Sequence, residues 1–233
     1  MHGDMEQDGM TGIVVAIDGP AASGKSSVAK SLAARTGFQH VNSGLMYRAA
    51  TRAVLEEGIA PGDVESVIGF LVDADVKCGW VGDEFEISIG GKVRRGLAEA
   101  DVNQHVSTVA KVAAVRAVLV ELQRRTAVGV ATVMEGRDIG SVVFPETPYK
   151  FYVDASEEVR QKRRVAQGLA DSIRDRDRED STRKSSPLVI AKGAVVIDSS
   201  ELTVDEVVER VVESLVERGV VFPGGDCGGV GAA

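Results

Sequence analysis

The amino-acid sequence predicts an α/β fold, with a parallel sheet flanked by helices, and three observations support this prediction. Four short β-branched runs without a helical period, at 12–18, 130–136, 149–155 and 194–198, are typical of strands buried on both faces. Helix-forming stretches separate these runs, as the crossovers between parallel strands require. A glycine-rich loop after the first run opens a βαβ unit, and the ligand sites of such sheets lie beyond the carboxyl ends of the strands.

The composition limits the class of protein. The 233 residues are 44% hydrophobic and carry a net charge of −8, which indicates a globular protein and disfavours a general nucleic-acid binder. No apolar run approaches the roughly 18 residues of a membrane span, and the acidic start, 1–8, lacks the basic and apolar parts of a signal peptide. We therefore expect a cytoplasmic protein with no membrane partner, and nothing demands more than a monomer. Cys78 and Cys227 lie far apart, which predicts two free thiols rather than a disulfide or a metal site.

Periodicity and turn residues assign the remaining segments. Residues 76–95 contain short runs separated by Gly-Asp and Gly-Gly, which predicts a small antiparallel meander inserted outside the main sheet. A helical stretch follows from about 101 to 125, and an amphipathic helix at 204–218 ends the fold. The termini, 1–10 and 223–233, are expected to be disordered.

The loop after the first predicted strand has the sequence GPAASGKS, which satisfies the pattern G-x-x-x-x-G-K-[ST]. Its two glycines permit positive φ and close approach, so consecutive N–H groups and the start of the following helix, 24–35, point at a phosphate. Lys25 would bridge the β- and γ-phosphates of ATP, and the Ser26 hydroxyl would ligate Mg²⁺, largely together with phosphates and water. The predicted ATP-binding residues are Gly19, Pro20, Ala21, Ala22, Ser23, Gly24, Lys25, Ser26 and Ser27.

A phosphate loop alone leaves open a GTPase, an ATP-driven motor and a kinase of a small molecule. The chain contains no Asn-Lys-x-Asp run to recognise guanine, and its length leaves no room for the further domains that motors usually bring. A kinase of a small molecule remains. The segment 160–184 fits this interpretation, because it carries nine Lys or Arg against five Asp or Glu and so suits a small polyanion.

Two clusters carry charge near the predicted ligand end of the sheet. Ser43 and Arg48 could hold the phosphate of an acceptor, or could simply belong to a helix start with an exposed arginine. Glu135, Arg137 and Asp138 follow a buried strand, where three charges cost stability unless they have partners. We therefore favour a functional cluster over a structural ion pair at this second position.

A third cluster lies in the basic segment. Arg176, Asp180 and Arg183 have the spacing i, i+4, i+7, so a helix would align them on one face that could close over a nucleotide. A solvated helix with surface salt bridges is the alternative.

With these motifs the chain resembles the bacterial cytidylate kinase family, nucleoside monophosphate kinases of pyrimidine metabolism that transfer the γ-phosphate of ATP to CMP or dCMP. The resemblance covers about 13–218 and rests on IDGPAASGKS, NSGLMYR, EGRDIGSVVFP, DSTRKSSPL and the meander. It implies a P-loop NTPase-type core sheet, an inserted nucleotide-binding region that contains the antiparallel meander, and a short arginine-rich lid. The implied divisions are a core of 11–42, 129–160 and 185–219, a monophosphate-binding region of 43–128, and a lid of 161–184.

The resemblance also implies roles for individual residues. Lys25, Arg137 and Arg183 would be catalytic, and Arg48 would join the two arginines on the acceptor and transferring phosphates. Asp138 would accept a hydrogen bond from N4 of cytosine and repel O4 of uracil, a preference of about 1–3 kcal/mol. Arg176 and Asp180 would hold the ribose. The implied CMP-binding residues are Ser43, Tyr47, Arg48, Ser107, Arg116, Arg137, Asp138, Arg176, Asp180 and Arg183.

The implied pair of Ser107 and Arg116 sets a geometric condition on the helical stretch. Nine residues at 100° each place them on opposite faces of a straight helix. Both reach one base only if the chain bends between them, which predicts a break near Lys111.

Two alternatives to a (d)CMP kinase stay open. One is a kinase of another small acceptor, such as UMP, AMP or shikimate, which phosphorylation assays across these acceptors would separate. The other is a P-loop module that binds ATP as a sensor without transferring phosphate. Arg137, Arg176 and Arg183 together argue against the sensor, because sensing needs no such concentration of positive charge around the transferring group.

Overall fold

The structure is a computed structural model that describes residues 12–82, 84–166, 178, 182 and 186–222. Its main body is a parallel sheet between two layers of helices, as the sequence predicts. In chain order the elements are β1 (Val14–Asp18), α1 (Lys25–Thr36), β2 (Gln39–Asn42), α2 (Ser43–Glu56), α3 (Val64–Leu71), β3 (Val76–Val81), β4 (Glu84–Ile89), β5 (Lys92–Val93), α4 (Ala100–Ala110), α5 (Ala113–Thr126), β6 (Thr132–Gly136), a π-helical turn (Ile139–Val143), β7 (Lys150–Asp154), α6 (Glu157–Ala166), β8 (Val195–Asp198) and α7 (Val204–Glu217).

The main sheet has five strands in the order β2-β6-β1-β7-β8. All four predicted strands are confirmed within two residues at each end. The edge strand β2 was not predicted, because only Val41 of its four residues is fully buried and the other three are polar, so no apolar run marks it. The register pairs Asp18 with Gly136, which brings the loops after β1 and β6 to the same edge of the sheet.

The two faces of the sheet pack against different helices because successive side chains of a strand point to opposite sides. Val15 and Ile17 of β1 belong to a core that includes α1 and α7. Ala16, between them, belongs to a second core that includes α2, α4 and α5. The predicted helices at 24–35 and 204–218 are therefore confirmed, and each covers the same face.

The predicted meander is confirmed as a separate antiparallel sheet in the order β3-β4-β5. Ile87 and Ile89 of β4 anchor it in the core that α2 and α5 share. Cys78 of β3 is a free thiol whose Sγ lies 3.2 Å from Thr126 Oγ1, and burial raises its pKa. Glu56 of α2 pairs with Lys92 at 2.9 Å, which ties the small sheet to the helix that enters the site.

The predicted break in the helical stretch is also confirmed. α4 ends at Ala110, Lys111 is its C-cap, and α5 begins at Ala113 after the extended residue Val112. The change of direction lets Ser107 and Arg116 line one cavity, which a straight helix would not allow.

Several predictions fall on residues outside the described ranges. The termini at 1–10 and 223–233, including Cys227, belong to this group, and so does most of the lid at 161–184. The division into a core, a monophosphate-binding region and a lid stays a prediction. Across the described ranges, no helix has both the length and the apolar character that a membrane span needs.

Candidate functional site

The phosphate loop, 19–26, connects β1 to α1 and has the backbone geometry that its glycines predict. Gly24 has φ 92° at the start of α1, and a Cβ on Gly19 would lie 2.1 Å from the Val153 carbonyl oxygen. Ala22 has φ 57°, a conformation that costs a non-glycine residue of the order of 1–3 kcal/mol and is typical of functional loops. The Lys25 ammonium donates to the Pro20 carbonyl at 3.0 Å, so the loop closes around its own lysine.

Side chains from outside the loop hold its carbonyl groups. Arg163 Nη1 donates to the Ser23 carbonyl at 3.1 Å, and the Ser199 hydroxyl donates to the same oxygen at 2.8 Å. Arg160 Nη1 donates to the Ala21 carbonyl at 3.3 Å. From the sequence, these two arginines were placed only within the basic segment 160–184. No pattern in the neighbouring residues shows that α6 packs beside the phosphate loop. These contacts occupy the carbonyl oxygens of Ala21 and Ser23.

A cavity of about 270 Å³ opens between the phosphate loop, the start of α2, the α4–α5 break and the end of β6. Gly19, Pro20 and Ser23 are buried and do not line it. The other described residues that the sequence assigned to the site all do. They are Ala21, Ala22, Gly24, Lys25, Ser26, Ser27, Ser43, Tyr47, Arg48, Ser107, Arg116, Arg137 and Asp138.

The remaining three predicted site residues, Arg176, Asp180 and Arg183, lie outside the described residues. Their predicted roles at the ribose and the transferring phosphate therefore stay predictions. Arg164 of α6 was not predicted as a site residue, yet it is buried and lines the cavity.

The end of the cavity away from the loop is built around Arg116. Its Nη2 pairs with Asp138 Oδ2, and both side chains are at most 5% exposed. The guanidinium carbon lies 5.1 Å from the centre of the Tyr47 ring, a distance at which a cation is attracted to an aromatic face. Nη1 donates to the Ala110 carbonyl at 3.3 Å, at the end of α4. The helix break thus supplies a backbone acceptor that orients Arg116.

Two residues of α2 link this end to neighbouring segments. The Ser43 hydroxyl donates to the Glu135 carbonyl at 2.8 Å, whereas the side chain of the N-cap residue Asn42 makes no capping hydrogen bond. Arg48 Nη1 donates to the Leu97 carbonyl at 3.3 Å and to Asn103 Oδ1. Arg48 is therefore not the exposed arginine of a plain helix start.

Arg137 connects the two ends of the cavity. It follows β6 directly, and its Nη1 donates to the Gly19 carbonyl at 3.0 Å. Its neighbour in sequence, Asp138, pairs with Arg116. Two consecutive side chains therefore contact the phosphate loop and the far end of the cavity.

Glu135, the residue before Gly136 at the end of β6, forms a polar network beneath the loop. Its Oε2 accepts from the Ser26 hydroxyl, and its Oε1 lies 3.1 Å from His40 Nε2. Burial raises the pKa of this carboxyl, but the hydrogen bonds from His40 and Ser26 and the charge of Lys25 outweigh burial and hold the pKa below its ordinary value. The carboxylate is therefore ionised next to Lys25. His40 was not predicted, because its strand was not.

Asp18 is a second buried carboxyl at the same edge of the sheet, and it was not among the predicted site residues. It ends β1, is 3% exposed, and accepts from the backbone N–H groups of Ile139 and Gly140 at 2.8 Å and 2.7 Å. Burial raises its pKa from 3.8 to about 6, although the two N–H groups lower it; nearby Asp138 raises it and Arg137 lowers it.

This pKa predicts a dependence of stability on pH. The folded protein holds the Asp18 proton more tightly than the unfolded chain, because its folded-state pKa is raised. This group's contribution to the free energy of unfolding therefore falls by about 2 kcal/mol as pH rises from 4 to 7. Asp18→Asn removes the group. Urea denaturation at pH 4 to 7 gives the unfolding free energy of each protein. The difference between the wild type and Asp18→Asn should fall by that amount as pH rises. A difference that does not change with pH would contradict the prediction.

The described residues contain no group of three His, Cys, Asp or Glu side chains that could hold a metal ion. The Ser26 hydroxyl and the Glu135 carboxylate, which are hydrogen-bonded to each other at the loop, offer hard oxygen atoms of the kind that Mg²⁺ prefers. A cation here would therefore need most of its ligands from a bound nucleotide and water.

Comparisons with known proteins identify the family of the chain. A sequence model of the cytidylate kinase family matches residues 15–217. A cytidylate kinase of Caldanaerobacter subterraneus is 40% identical, over 87% of this chain and 94% of that protein. Cytidylate kinases of Mycobacterium leprae and Clostridium botulinum are 42% and 37% identical, each over 90% of this chain and over 98% and 100% of the relative. The predicted family is confirmed: the chain belongs to the cytidylate kinase family.

Proposed function

We propose that the protein transfers the γ-phosphate of ATP to CMP or dCMP to give CDP or dCDP, the reaction of the family to which the chain belongs. The observation that carries this proposal is one continuous cavity with the phosphate loop and Lys25 at one end and the buried Arg116–Asp138 pair at the other. In such a cavity the γ-phosphate of a donor and the phosphate of an acceptor nucleotide can come together.

In this proposal the cytosine lies at the Arg116–Asp138 end. Cytosine offers an N4 donor beside the N3 and O2 acceptors, so the Asp138 carboxylate accepts from N4 while Arg116 donates to an acceptor. Tyr47 and the Ala110 carbonyl already hold the Arg116 side chain in place before CMP binds. The entropy cost of ordering this side chain on binding is therefore small. Ser43 and Ser107, which line the same end, are proposed to complete the base contacts.

The transfer itself requires alignment and charge compensation more than covalent chemistry. A phosphate oxygen of CMP attacks the γ-phosphorus in line, the bond to the β-phosphate oxygen breaks, and ADP leaves. No strong general base is needed, because a phosphate monoester is largely dianionic at pH 7. Lys25 and Arg137 are proposed to offset the negative charge of the transferring group, and Arg48 to hold the acceptor phosphate.

Mg²⁺ is the proposed metal, bound with ATP. Ser26 would be its protein ligand. Glu135 would support this ligand, because its ionised carboxylate accepts the hydrogen bond from the Ser26 hydroxyl and leaves the lone pairs of that oxygen for the cation. When bound, the ion neutralises charge on the β- and γ-phosphates. We propose that His40, on the other Glu135 oxygen, keeps that carboxylate in place.

The proposal is tested by measuring ADP release with ATP and each of five acceptors, namely CMP, dCMP, UMP, AMP and shikimate, with Mg²⁺ and with excess EDTA. We expect rapid turnover with CMP and dCMP, slower turnover with UMP, and none with EDTA. Turnover that is fastest with shikimate or AMP would overturn the choice of acceptor. ATP binding without any acceptor-dependent ADP release would overturn the enzyme.

Arg183 carries a further prediction, which rests on the family resemblance because this residue lies outside the described ranges. Arg183→Ala is expected to lower kcat by about 100-fold, since it removes a charge that acts in the transition state, while ATP affinity changes little. Single-turnover rates at saturating nucleotides and ATP binding in the absence of CMP measure the two quantities. A loss of less than about tenfold in rate would remove Arg183 from the mechanism.

A further inference from the structure

Asp18 joins the donor side of the cavity to the acceptor side. It precedes Gly19, the first residue of the phosphate loop, so its backbone moves with that loop. Both of its carboxylate oxygens are engaged by the π-helical turn: Oδ1 accepts from Ile139 N and Oδ2 from Gly140 N. This turn begins directly after Arg137 and Asp138. The carboxylate therefore anchors the segment that supplies both side chains to the site.

The two N–H groups of the turn make specific demands on their acceptor. Two adjacent N–H groups need two acceptor oxygens, and an ionised carboxylate supplies both. The turn also packs tightly, because a Cβ on Gly140 would lie 3.2 Å from the aliphatic chain of Lys150 of β7. A turn released by Asp18 would have to shift, and Arg137 and Asp138 would shift with it.

The charged groups near Asp18 lie after β6 and on β7. After β6, the negative charge of Asp138 raises the pKa of Asp18, and the positive charge of Arg137 lowers it. Lys150 on the neighbouring strand β7 directs its ammonium to the carbonyls of Pro145, at 2.5 Å, and Lys192, at 3.4 Å, rather than to Asp18. Asp18 thus has no direct ion pair, and the two backbone N–H groups are its hydrogen-bond donors in the described residues.

We propose that Asp18 is a positioning residue, whose ionised carboxylate holds Arg137 and Asp138 in register with the phosphate loop. The inference rests on the proposed phosphoryl transfer, and it adds a residue that touches neither nucleotide. Protonation removes the negative charge and makes the carboxyl oxygens weaker hydrogen-bond acceptors, so the anchor weakens at acidic pH. The buried position makes this change occur near pH 6.

Asp18→Asn tests the positioning role, because the amide keeps the size of the side chain but offers one acceptor and one opposing donor. We expect kcat/KM for CMP to fall by about 10- to 100-fold, as a displacement of roughly 1 Å at a reacting group does. ATP binding, measured by calorimetry without CMP, should change by less than about threefold. Unchanged CMP kinetics, or an equal loss of ATP binding, would overturn the proposal.

Asp63→Asn is the matched control. The Asp63 carboxylate also accepts a backbone N–H, from Ser66 at 3.2 Å, but it is exposed at the start of α3. In this variant, kcat/KM for CMP and the affinity for ATP should both stay within about twofold of the wild type. Losses equal to those of Asp18→Asn would assign the effect to general destabilisation and overturn the positioning role.

A measurement on the wild type decides the question even if Asp18→Asn fails to fold. In nucleotide-free ¹H–¹⁵N spectra from pH 4.5 to 7.5, the amides of Ile139 and Gly140 should move with a common inflection near pH 6, and the Arg137 side-chain N–H should follow it. The absence of nucleotide matters because the phosphate of CMP also titrates near pH 6. The proposal would be overturned if the Ile139 and Gly140 amide shifts did not change with pH, or if the Arg137 side-chain signal did not show the same inflection. Failure of CMP turnover with these shifts intact would instead count against the proposed function.

Discussion

Replacing Lys25 by methionine is expected to lower kcat by about 100- to 1,000-fold, the effect of removing one preorganised donor from a developing charge. Lys25 is 8% exposed, lies at the start of α1 and donates to the Pro20 carbonyl at 3.0 Å, so its ammonium is held within the loop that we propose binds the γ-phosphate. Methionine keeps the length and the apolar stem but not the charge. Single-turnover phosphorylation of CMP at saturating ATP measures the loss.

Lys30→Met is the control, because Lys30 belongs to the same helix but is exposed. It should leave kcat within about twofold. The melting temperatures of both variants should stay within a few degrees of the wild type, since Glu135 keeps its hydrogen bonds to His40 and Ser26 without Lys25. A Lys25→Met enzyme with more than a tenth of the original kcat would show that the lysine does not act on the transferring group.

The second large effect concerns the buried pair at the other end of the cavity. Arg116→Met leaves the Asp138 carboxylate buried without its cation, which typically costs about 3–5 kcal/mol of unfolding free energy. Urea denaturation measures this cost. The variant should also lose measurable saturation by CMP, because Arg116 is the proposed donor to cytosine.

A double variant separates stability from recognition. Arg116→Met combined with Asp138→Leu replaces the ion pair by apolar side chains, which often restores or exceeds the original stability. We expect the double variant to unfold within about 1 kcal/mol of the wild type and yet to bind CMP no better than the single variant. Recovery of CMP turnover together with stability would mean that the pair is structural and that cytosine is recognised elsewhere.

The acceptor end differs from the donor end in how it is built. Arg116 is fixed by a ring, a carboxylate and a helix-end carbonyl from three separate elements. The phosphate loop, by contrast, is one short segment whose shape depends on its own backbone and on braces from α6 and Ser199. We infer that substitutions in distant elements weaken binding of the acceptor nucleotide more than they weaken binding of ATP.

The fold was predictable where the pattern is local. Buried β-branched runs marked four strands of the main sheet, and turn residues marked the small antiparallel sheet. The break at Lys111 was predictable for another reason: two residues assigned to one base cannot share a straight helix. β2 escaped prediction because an edge strand with one fully buried residue has no distinctive period.

The site was predictable where a motif names the residue. Lys25, Ser26, Arg137 and Asp138 lie in quoted motifs, and all four line the cavity. His40 and Arg163 lie in no such motif. Their contacts with Glu135 and Ser23 join residues 95 and 140 positions apart, so no local signal in the chain announces them.

By itself the sequence determined the α/β class, the phosphate loop and the family, because periodicity, glycine spacing and motif letters are properties of neighbouring residues. Only the tertiary structure decided which polar groups share a site. Asp18 reaches Ile139, 121 positions away, because β1 and β6 pair in a register that places their ends side by side. Strand register and helix direction are set by the packing of the whole core, and they turn separate motifs into one cavity.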